Sequence, residues 1–214
     1  MSQLGIQNYY QSIQKHGFLR NFHFRILSIN GALLAPLNQE LLANNMEGAA
    51  YLTSSTVPGR TITNQTVPFM GLDFNIPGSA KYDNSAGWSV TFRTPGDLLV
   101  RNALEQMNYN IFDDATSTGA YGVPCATNVI SLALLNIAGQ SIRQYDLYGV
   151  YPVSVGELAF DLTGDGAPVE FTSTLAFQFF RVKKGTGGNL VAGPAGGLGS
   201  GSNAFGVGNS GQAC

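Results

Sequence analysis

The sequence has few charged side chains. Asp, Glu, Lys and Arg make up 11% of its 214 residues and give a formal net charge of −2, whereas ordinary soluble domains contain roughly 25% charged residues. The one cluster of cations, Arg181, Lys183 and Lys184, reads as a solvated strand end, so nothing favours stable binding of nucleic acid. A surface this poor in charge is either rich in small residues or buried against other copies of the chain. We favour burial, since large interfaces are depleted of charged residues.

Cysteine and histidine are too scarce to build a metal site or a disulfide framework. The two cysteines, Cys125 and Cys214, are far apart, and the two histidines, His16 and His23, lack the spacing of metal ligands. The sequence contains no nucleophile elbow and no phosphate-binding loop, and the acidic residues near Asp165 lack the spacing of a calcium loop. We therefore expect no enzymatic activity, no metal and no cofactor.

Long apolar runs are also missing. No run approaches the length that a membrane-spanning helix needs, and the polar first residues do not have the pattern of a signal peptide. We therefore expect no stable membrane binding.

The residues that are present divide the chain into three parts. Residues 1–17 are predicted to form an N-terminal arm with a short helix that ends at Gly17. Residues 18–184 are predicted to form one mainly β domain, an antiparallel sandwich or barrel with one flanking helix. Residues 185–214 form a glycine-rich C-terminal extension without any charged residue, which cannot bury enough apolar surface to fold alone.

In the first half of the domain, alternating patterns predict strands over Phe18–Asn30 and Ala50–Thr56. Asn30-Gly31 predicts a hairpin turn. Leu37–Met46 is predicted to be a short helix with Asn38 as its cap. Arg60–Ile76 is rich in β-forming residues but contains proline and glycine, so we expect an edge strand or a protruding loop with strand-like arms.

The middle of the chain combines a strand with a helix start signal. Trp88–Arg93 is predicted to be a strand. Thr94-Pro95-Gly96-Asp97 has the composition of a capping box, which predicts a helix over Asp97–Met107 with Leu98 and Leu104 facing inward. Ile111–Pro124 is predicted to be a polar loop, and Cys125–Asn136 a strand.

The stretch from Ser141 to Val182 organises the second half. Strand-like runs lie at its ends, a third short strand is predicted over Glu157–Leu162, and Thr163–Gly166 has the composition of a turn. From Phe171 onward the apolar residues alternate with small and polar ones. We assign the apolar side of this last strand to the core, and propose that the other side lines a channel: Thr172, Thr174, Ala176 and Gln178.

One motif in this stretch carries a family resemblance. In the tail tube proteins of contractile-tailed bacteriophages of the T-even type, a Gly-hydrophobic-aromatic-Pro-x-x-Val-Gly-Glu-Leu motif precedes a closing hairpin. The segment Tyr148–Leu158 resembles it, and the matching positions are Gly149, Pro152, Val155, Gly156, Glu157 and Leu158. Weaker similarity extends over roughly residues 18–182. The region of Lys81 and Tyr82 matches poorly, and the glycine-rich extension is not a standard part of the family.

The resemblance implies a structural virion protein. In that family, hexameric rings have a continuous inner β-barrel and stack into the tube that conducts double-stranded DNA during ejection. The implied partners are other copies of the chain, the sheath, the baseplate, the tape measure protein and the tail terminator. The implied location is the virion tail, which is assembled in the host cytoplasm. The resemblance also implies a loop that contacts the next ring, and we assign to it Pro58, Arg60, Ile62, Pro68, Phe69, Met70, Gly71 and Leu72.

Two alternatives remain open at the level of sequence. A tube protein of a contractile injection system, or a baseplate protein that initiates the tube, would share this pattern without necessarily conducting DNA. A carbohydrate-binding β-sandwich is the alternative outside these assemblies. It requires exposed aromatic residues beside Asp or Asn, whereas the aromatic residues here alternate into predicted cores.

Overall fold

The structure is a computed structural model, and it describes residues 3–43, 51–82, 87–119, 122, 124, 126–163 and 166–185. The helices are α1 (Gln3–His16), α2 (Ala35–Asn38), which continues into a π-helical turn (Gln39–Ala43), and α3 (Leu99–Ile111). The strands are β1 (Phe24–Asn30), β2 (Leu52–Ser55), β3 (Arg60–Phe69), β4 (Leu72–Tyr82), β5 (Trp88–Arg93), β6 (Phe112–Asp113), β7 (Thr118–Gly119), β8 (Val129–Leu135), β9 (Ser141–Tyr148), β10 (Tyr151–Val155), β11 (Glu170–Ala176) and β12 (Phe179–Lys184).

Two antiparallel four-stranded sheets form the body of the domain. The first sheet has the order β1-β8-β9-β12 and the second sheet the order β10-β11-β5-β2. Their facing sides supply one continuous core, with Ile130 and Leu147 from the first sheet and Phe92 and Phe171 from the second. The mainly β antiparallel sandwich predicted from the sequence is therefore confirmed.

Helix α3 closes the core at one side of the sandwich. Its buried residues, Val100, Ala103, Leu104 and Met107, recur at the spacing of one helix face. The helix begins two residues later than predicted, and the predicted cap is wrong. The Thr94 hydroxyl is buried and has no hydrogen-bond partner among the described residues. Leu98 adopts a left-handed conformation with a φ of 57°, and its side chain is exposed. The amide of Leu99 instead donates to the Asp97 carboxylate over 3.4 Å.

Two predictions in the first half also require correction. Strand β1 begins at Phe24 rather than Phe18, because the preceding segment forms a turn in which the His23 amide donates to the Arg20 carbonyl. Asn30-Gly31 is not a hairpin turn, since β1 pairs with the distant strand β8. Gly31 has a φ of 121°, and a Cβ there would lie 2.2 Å from Oδ1 of Asn128, so a close approach explains this glycine.

The predicted helix over residues 37–46 forms only in part. Asn38 lies inside the helical segment rather than at its start, because Pro36 occupies the first turn of α2. Leu37 and Leu41 bury the inner side of the segment. Residues 44–50 lie outside the described chain, as do residues 83–86, which precede β5.

The last part of the domain crosses between the two sheets twice. The chain leaves the first sheet after β9 at Gly149, which has a φ of 64°, and returns to it between β11 and β12 at Gln178. The two crossings touch, since a Cβ on Gly149 would lie 2.7 Å from Cγ of Gln178. The single strand predicted from Phe171 onward is therefore two strands in different sheets. The strand predicted over Glu157–Leu162 is wrong, because this segment is a loop.

Candidate assembly surfaces

A long β-hairpin projects from the sandwich. Its strands β3 and β4 pair with each other, from Arg60 opposite Tyr82 at the base to Phe69 opposite Leu72 at the tip, and they belong to neither four-stranded sheet. A ten-residue strand reaches about 30 Å. This projection agrees with the protruding loop with strand-like arms that the sequence predicts.

The outer part of the hairpin has one apolar and one polar side. Residues directly opposite each other in an antiparallel pair point to the same side. The pairing register of β3 and β4 therefore determines which residues lie on each side of the hairpin. The apolar hairpin face consists of Val67, Phe69, Leu72, Phe74 and Ile76, and Gln65 lies on the same side, opposite Ile76 at the inner end of this face. The polar hairpin face carries Asn64, Thr66, Asp73 and Asn75, and Thr66 Oγ1 hydrogen-bonds Asn75 Oδ1 over 3.0 Å. The five apolar side chains are 44% to 64% exposed.

The tip of the hairpin is strained at one position. Met70 and Gly71 have φ values of 50° and 79°, the pattern of a type I′ turn, which suits Asn-Gly or Asp-Gly better than a residue such as methionine. The Met70 side chain is 87% exposed. A large apolar side chain thus lies at a position where both its backbone conformation and its exposure to solvent are unfavourable.

The structure separates the residues assigned to the ring-contact loop. Phe69, Met70, Gly71 and Leu72 lie together at the tip. Pro68 faces the polar side. Three others lie towards the base: Pro58, Arg60 and Ile62. The sequence-based assignment did not include Val67, Phe74 and Ile76, which only the cross-strand register joins to the tip. The ring contact itself remains a prediction.

The outer face of the second sheet is lined with hydroxyl groups. Its side chains alternate with the buried ones of β5 and β11, and Thr91 Oγ1 hydrogen-bonds Thr172 Oγ1 over 3.0 Å. The members of this hydroxyl face are Ser54, Ser89, Thr91, Ser154, Thr172 and Thr174. At one end of it, Arg93 pairs with Glu170 over 3.0 Å.

The predicted channel-lining residues fall only partly on the hydroxyl face. Thr172 and Thr174 belong to it. Ala176 lies on the same side of β11 but is buried, and Gln178 follows the end of the strand, at the crossing to the first sheet. Channel lining itself remains a prediction.

The outer face of the first sheet contains a buried carboxylate. The side chain of Asp146 is 3% exposed and pairs with Lys183 over 2.6 Å. Ser131 Oγ and Gln144 Nε2 each donate to Asp146 Oδ1 over 2.7 Å. Burial raises the pKa of Asp146, but the hydrogen bonds from Lys183, Gln144 and Ser131 outweigh this effect and hold that pKa below its ordinary value of 3.8.

Asp146 makes the stability of the fold depend on pH. Because its pKa is lower in the folded chain, its contribution is complete above about pH 5 and is lost as the pH falls through the folded-state pKa. We expect Asp146→Asn to lower the free energy of unfolding by about 2 kcal/mol at neutral pH. The difference from the parent chain should vanish in strong acid. Urea unfolding across this pH range tests it.

A surface pair provides the control for this prediction. Glu105 and Arg101 lie one helical turn apart on α3 and pair over 2.7 Å, and Glu105→Gln should change stability by less than about 1 kcal/mol. An Asp146→Asn effect that is equally small, or that persists in strong acid, would contradict the role assigned to the carboxylate.

The motif within Tyr148–Leu158 has a structural role at the end of β10. The Gly156 amide donates to the Thr172 carbonyl over 2.9 Å, and the Gly156 carbonyl accepts a hydrogen bond from Arg101 of α3 over 2.7 Å. Val155 and Leu158 pack against the core, while Glu157 is exposed. The motif therefore ties the second sheet to α3.

No side-chain cluster suited to metal chemistry is found in the described parts of the chain: no group of three or more His, Cys, Asp or Glu residues could hold an ion there. His23 is half-buried before β1. Cys125 and Cys214 lie outside the described residues. Among the helices that the structure describes, none has the length and apolarity needed to cross a bilayer.

Comparisons with known proteins show a likeness in structure. No family model and no curated protein matches the chain. A chain in the tube-terminating cap of the anti-feeding prophage superposes with a TM-score of 0.51 and 15% identity over 78% of this chain and 91% of that one. Two chains of the PVC extracellular contractile injection system also match. The chain from its sheath/tube terminator has a TM-score of 0.47 and 16% identity over 78% of this chain and 96% of that one. The chain from its sheath-tube complex has a TM-score of 0.45 and 15% identity over 81% of this chain and 97% of that one. The chain thus has the fold of a protein from a tube-terminating cap.

Proposed function

We propose that the chain is a structural subunit of a contractile-tail-type tube and assembles with other copies of itself. The apolar hairpin face is the observation that carries this proposal. It places five partly exposed apolar side chains on a hairpin that pairs with neither four-stranded sheet. Contiguous exposed apolar surface on a soluble protein marks an interaction site or an aggregation hazard. The fold shared with a cap protein supports assembly.

In this proposal, copies form hexameric rings, and the hairpin of each copy contacts the next ring. The hydroxyl face of the second sheet lines the channel. Its hydroxyl side chains carry no charge, and Arg93 at one end of the face is paired with Glu170. The face would therefore not neutralise the phosphates of passing double-stranded DNA and retain it. The sheath, the baseplate, the tape measure protein and the terminator are the further partners, and the virion tail, built in the host cytoplasm, is the location.

A subunit of an end ring is the second candidate. The structural likeness to a tube-terminating cap favours it. Such a subunit would form rings through the same lateral contacts but would stack on one side only. Purified protein that yields single rings at every concentration would favour the end ring, and protein that yields long tubes would favour the tube.

Sedimentation velocity over a range of protein concentrations tests self-assembly. We expect ring-sized and larger species to grow with concentration. Protein that stays strictly monomeric at high concentration would contradict both the tube and the end-ring assignment.

Met70→Asp tests the hairpin tip. We expect shorter tubes in electron micrographs, because a carboxylate at this position must be desolvated when rings stack. Folding should be unaffected or slightly stabilised, since aspartate tolerates a positive φ better than methionine does. Tube length and thermal unfolding are the two measurements. An equal loss of both would show that the tip supports the fold rather than ring stacking.

A further inference from the structure

Helix α1 presents an apolar stripe that the described residues of its own chain leave largely exposed. Ile6, Tyr9, Tyr10 and Ile13 recur at the i, i+3, i+4, i+7 spacing of one helix face. The first three are well exposed and Ile13 is half-buried. A 14-residue helix is marginal in water by itself. The stripe therefore requires a surface to cover it.

The charges of the candidate surfaces decide which one fits. The residues that flank the stripe, such as Gln7 and Gln14, are uncharged. The groove between α3 and β10 also exposes apolar side chains, but three charged side chains line it: Arg101, Glu105 and Asp114. Covering these charged side chains with an uncharged helix costs desolvation energy that no new ion pair offsets. The apolar hairpin face contains no ionisable side chain, so the uncharged stripe of α1 can cover it without burying a charge.

The two surfaces also match in size. From Ile6 to Ile13 the stripe extends about 10 Å along the helix axis. The apolar hairpin face extends about 13 Å, from Ile76 to Leu72 along β4. A helix that covers one side of a sheet is a stable way of joining two amphipathic elements.

We propose that α1 of one copy packs its apolar stripe across the apolar hairpin face of a neighbouring copy. This inference rests on the proposed self-assembly and names the partner of the hairpin. The contact is head-to-tail: each copy offers a helix to one neighbour and a hairpin to another, so the contact repeats through rings or stacks. It covers the apolar stripe of α1 and the apolar hairpin face at the same time.

Disulfide trapping between two differently substituted full-length proteins tests the contact. Both proteins carry Cys125→Ser and Cys214→Ser. One also carries Tyr9→Cys, and the other carries Phe74→Cys with a C-terminal tag. They are mixed, allowed to assemble and oxidised. A tagged–untagged disulfide dimer can form only between copies.

Two mixtures provide matched controls. Gln11→Cys replaces Tyr9→Cys on the opposite side of α1, and Asn75→Cys replaces Phe74→Cys on the polar hairpin face. We expect the Tyr9–Phe74 dimer to exceed both controls by about tenfold, because a disulfide requires Cβ atoms about 4 Å apart.

If the proteins assemble and the Tyr9–Phe74 dimer exceeds both controls, the helix–hairpin contact is supported. If they assemble without an excess of this dimer, the contact is wrong and the proposed function is unaffected. Failure of the unsubstituted protein to assemble overturns the proposed function itself. If the full chain instead co-sediments with phosphatidylcholine–phosphatidylserine vesicles, loses that binding on Tyr9→Asp and gives no excess dimer, then α1 covers a lipid surface and the helix–hairpin contact is wrong.

Discussion

Phe74→Asp is expected to weaken self-assembly strongly while leaving the subunit folded. Phe74 lies opposite Val67 at the centre of the apolar hairpin face and is half-exposed. In the assembled state, an aspartate at this position would be a buried carboxylate without a partner, which costs several kcal/mol. The concentration needed for assembly should therefore rise about a hundredfold or more. Sedimentation velocity measures the change.

Asn75→Asp provides the matched control. Asn75 is the next residue of β4 and lies on the polar hairpin face, where its Oδ1 accepts the Thr66 hydroxyl and an aspartate could do the same. Both variants place an aspartate in the same strand, so they share its poor strand propensity. Equal effects of the two variants on assembly would show that the apolar face is not the contact surface.

Gly156→Ala is expected to destabilise the subunit itself. A Cβ at this position would lie 2.4 Å from the Thr172 carbonyl oxygen, in the backbone of β11. Strand β11 is hydrogen-bonded to a strand on each side, so it cannot move away from the added methyl group. Residue 156 must move instead, and this breaks its hydrogen bond with Thr172 or with Arg101. We expect the free energy of unfolding to fall by about 3 kcal/mol, as measured by urea unfolding.

Gly96→Ala is the control for this loss. No heavy atom lies within 4 Å of a Cβ built on Gly96, so we expect a change within about 0.5 kcal/mol. If Gly156→Ala lowered the free energy of unfolding as little as Gly96→Ala, the motif would not be what holds β10 against its neighbours.

Much of the architecture could be predicted from the sequence, because local patterns determine it. Strand β5 shows a clear alternation of buried and half-buried residues. Pro68 and Gly71 mark Arg60–Ile76 as a segment outside the central sheets. The motif around Gly156 indicated the fold of the second half, and the likeness to a cap protein agrees with that fold.

Long-range contacts determine what the sequence could not provide. Alternation continues from Phe171 through Phe179, yet the chain changes sheets at Gln178, because Gly149 and Gln178 must pass each other there. Thr94 has the composition of a cap, but the left-handed Leu98 moves the helix start past it. Phe74 joins the candidate surface only through its partner Val67 on the other strand.

Electron microscopy of the purified, unsubstituted chain tests the central claim most directly. The account predicts rings with a central channel, alone or stacked into tubes, and the hydroxyl face of the second sheet along the channel wall. A field of separate monomers at high concentration, or shapeless aggregates without a channel, would contradict it.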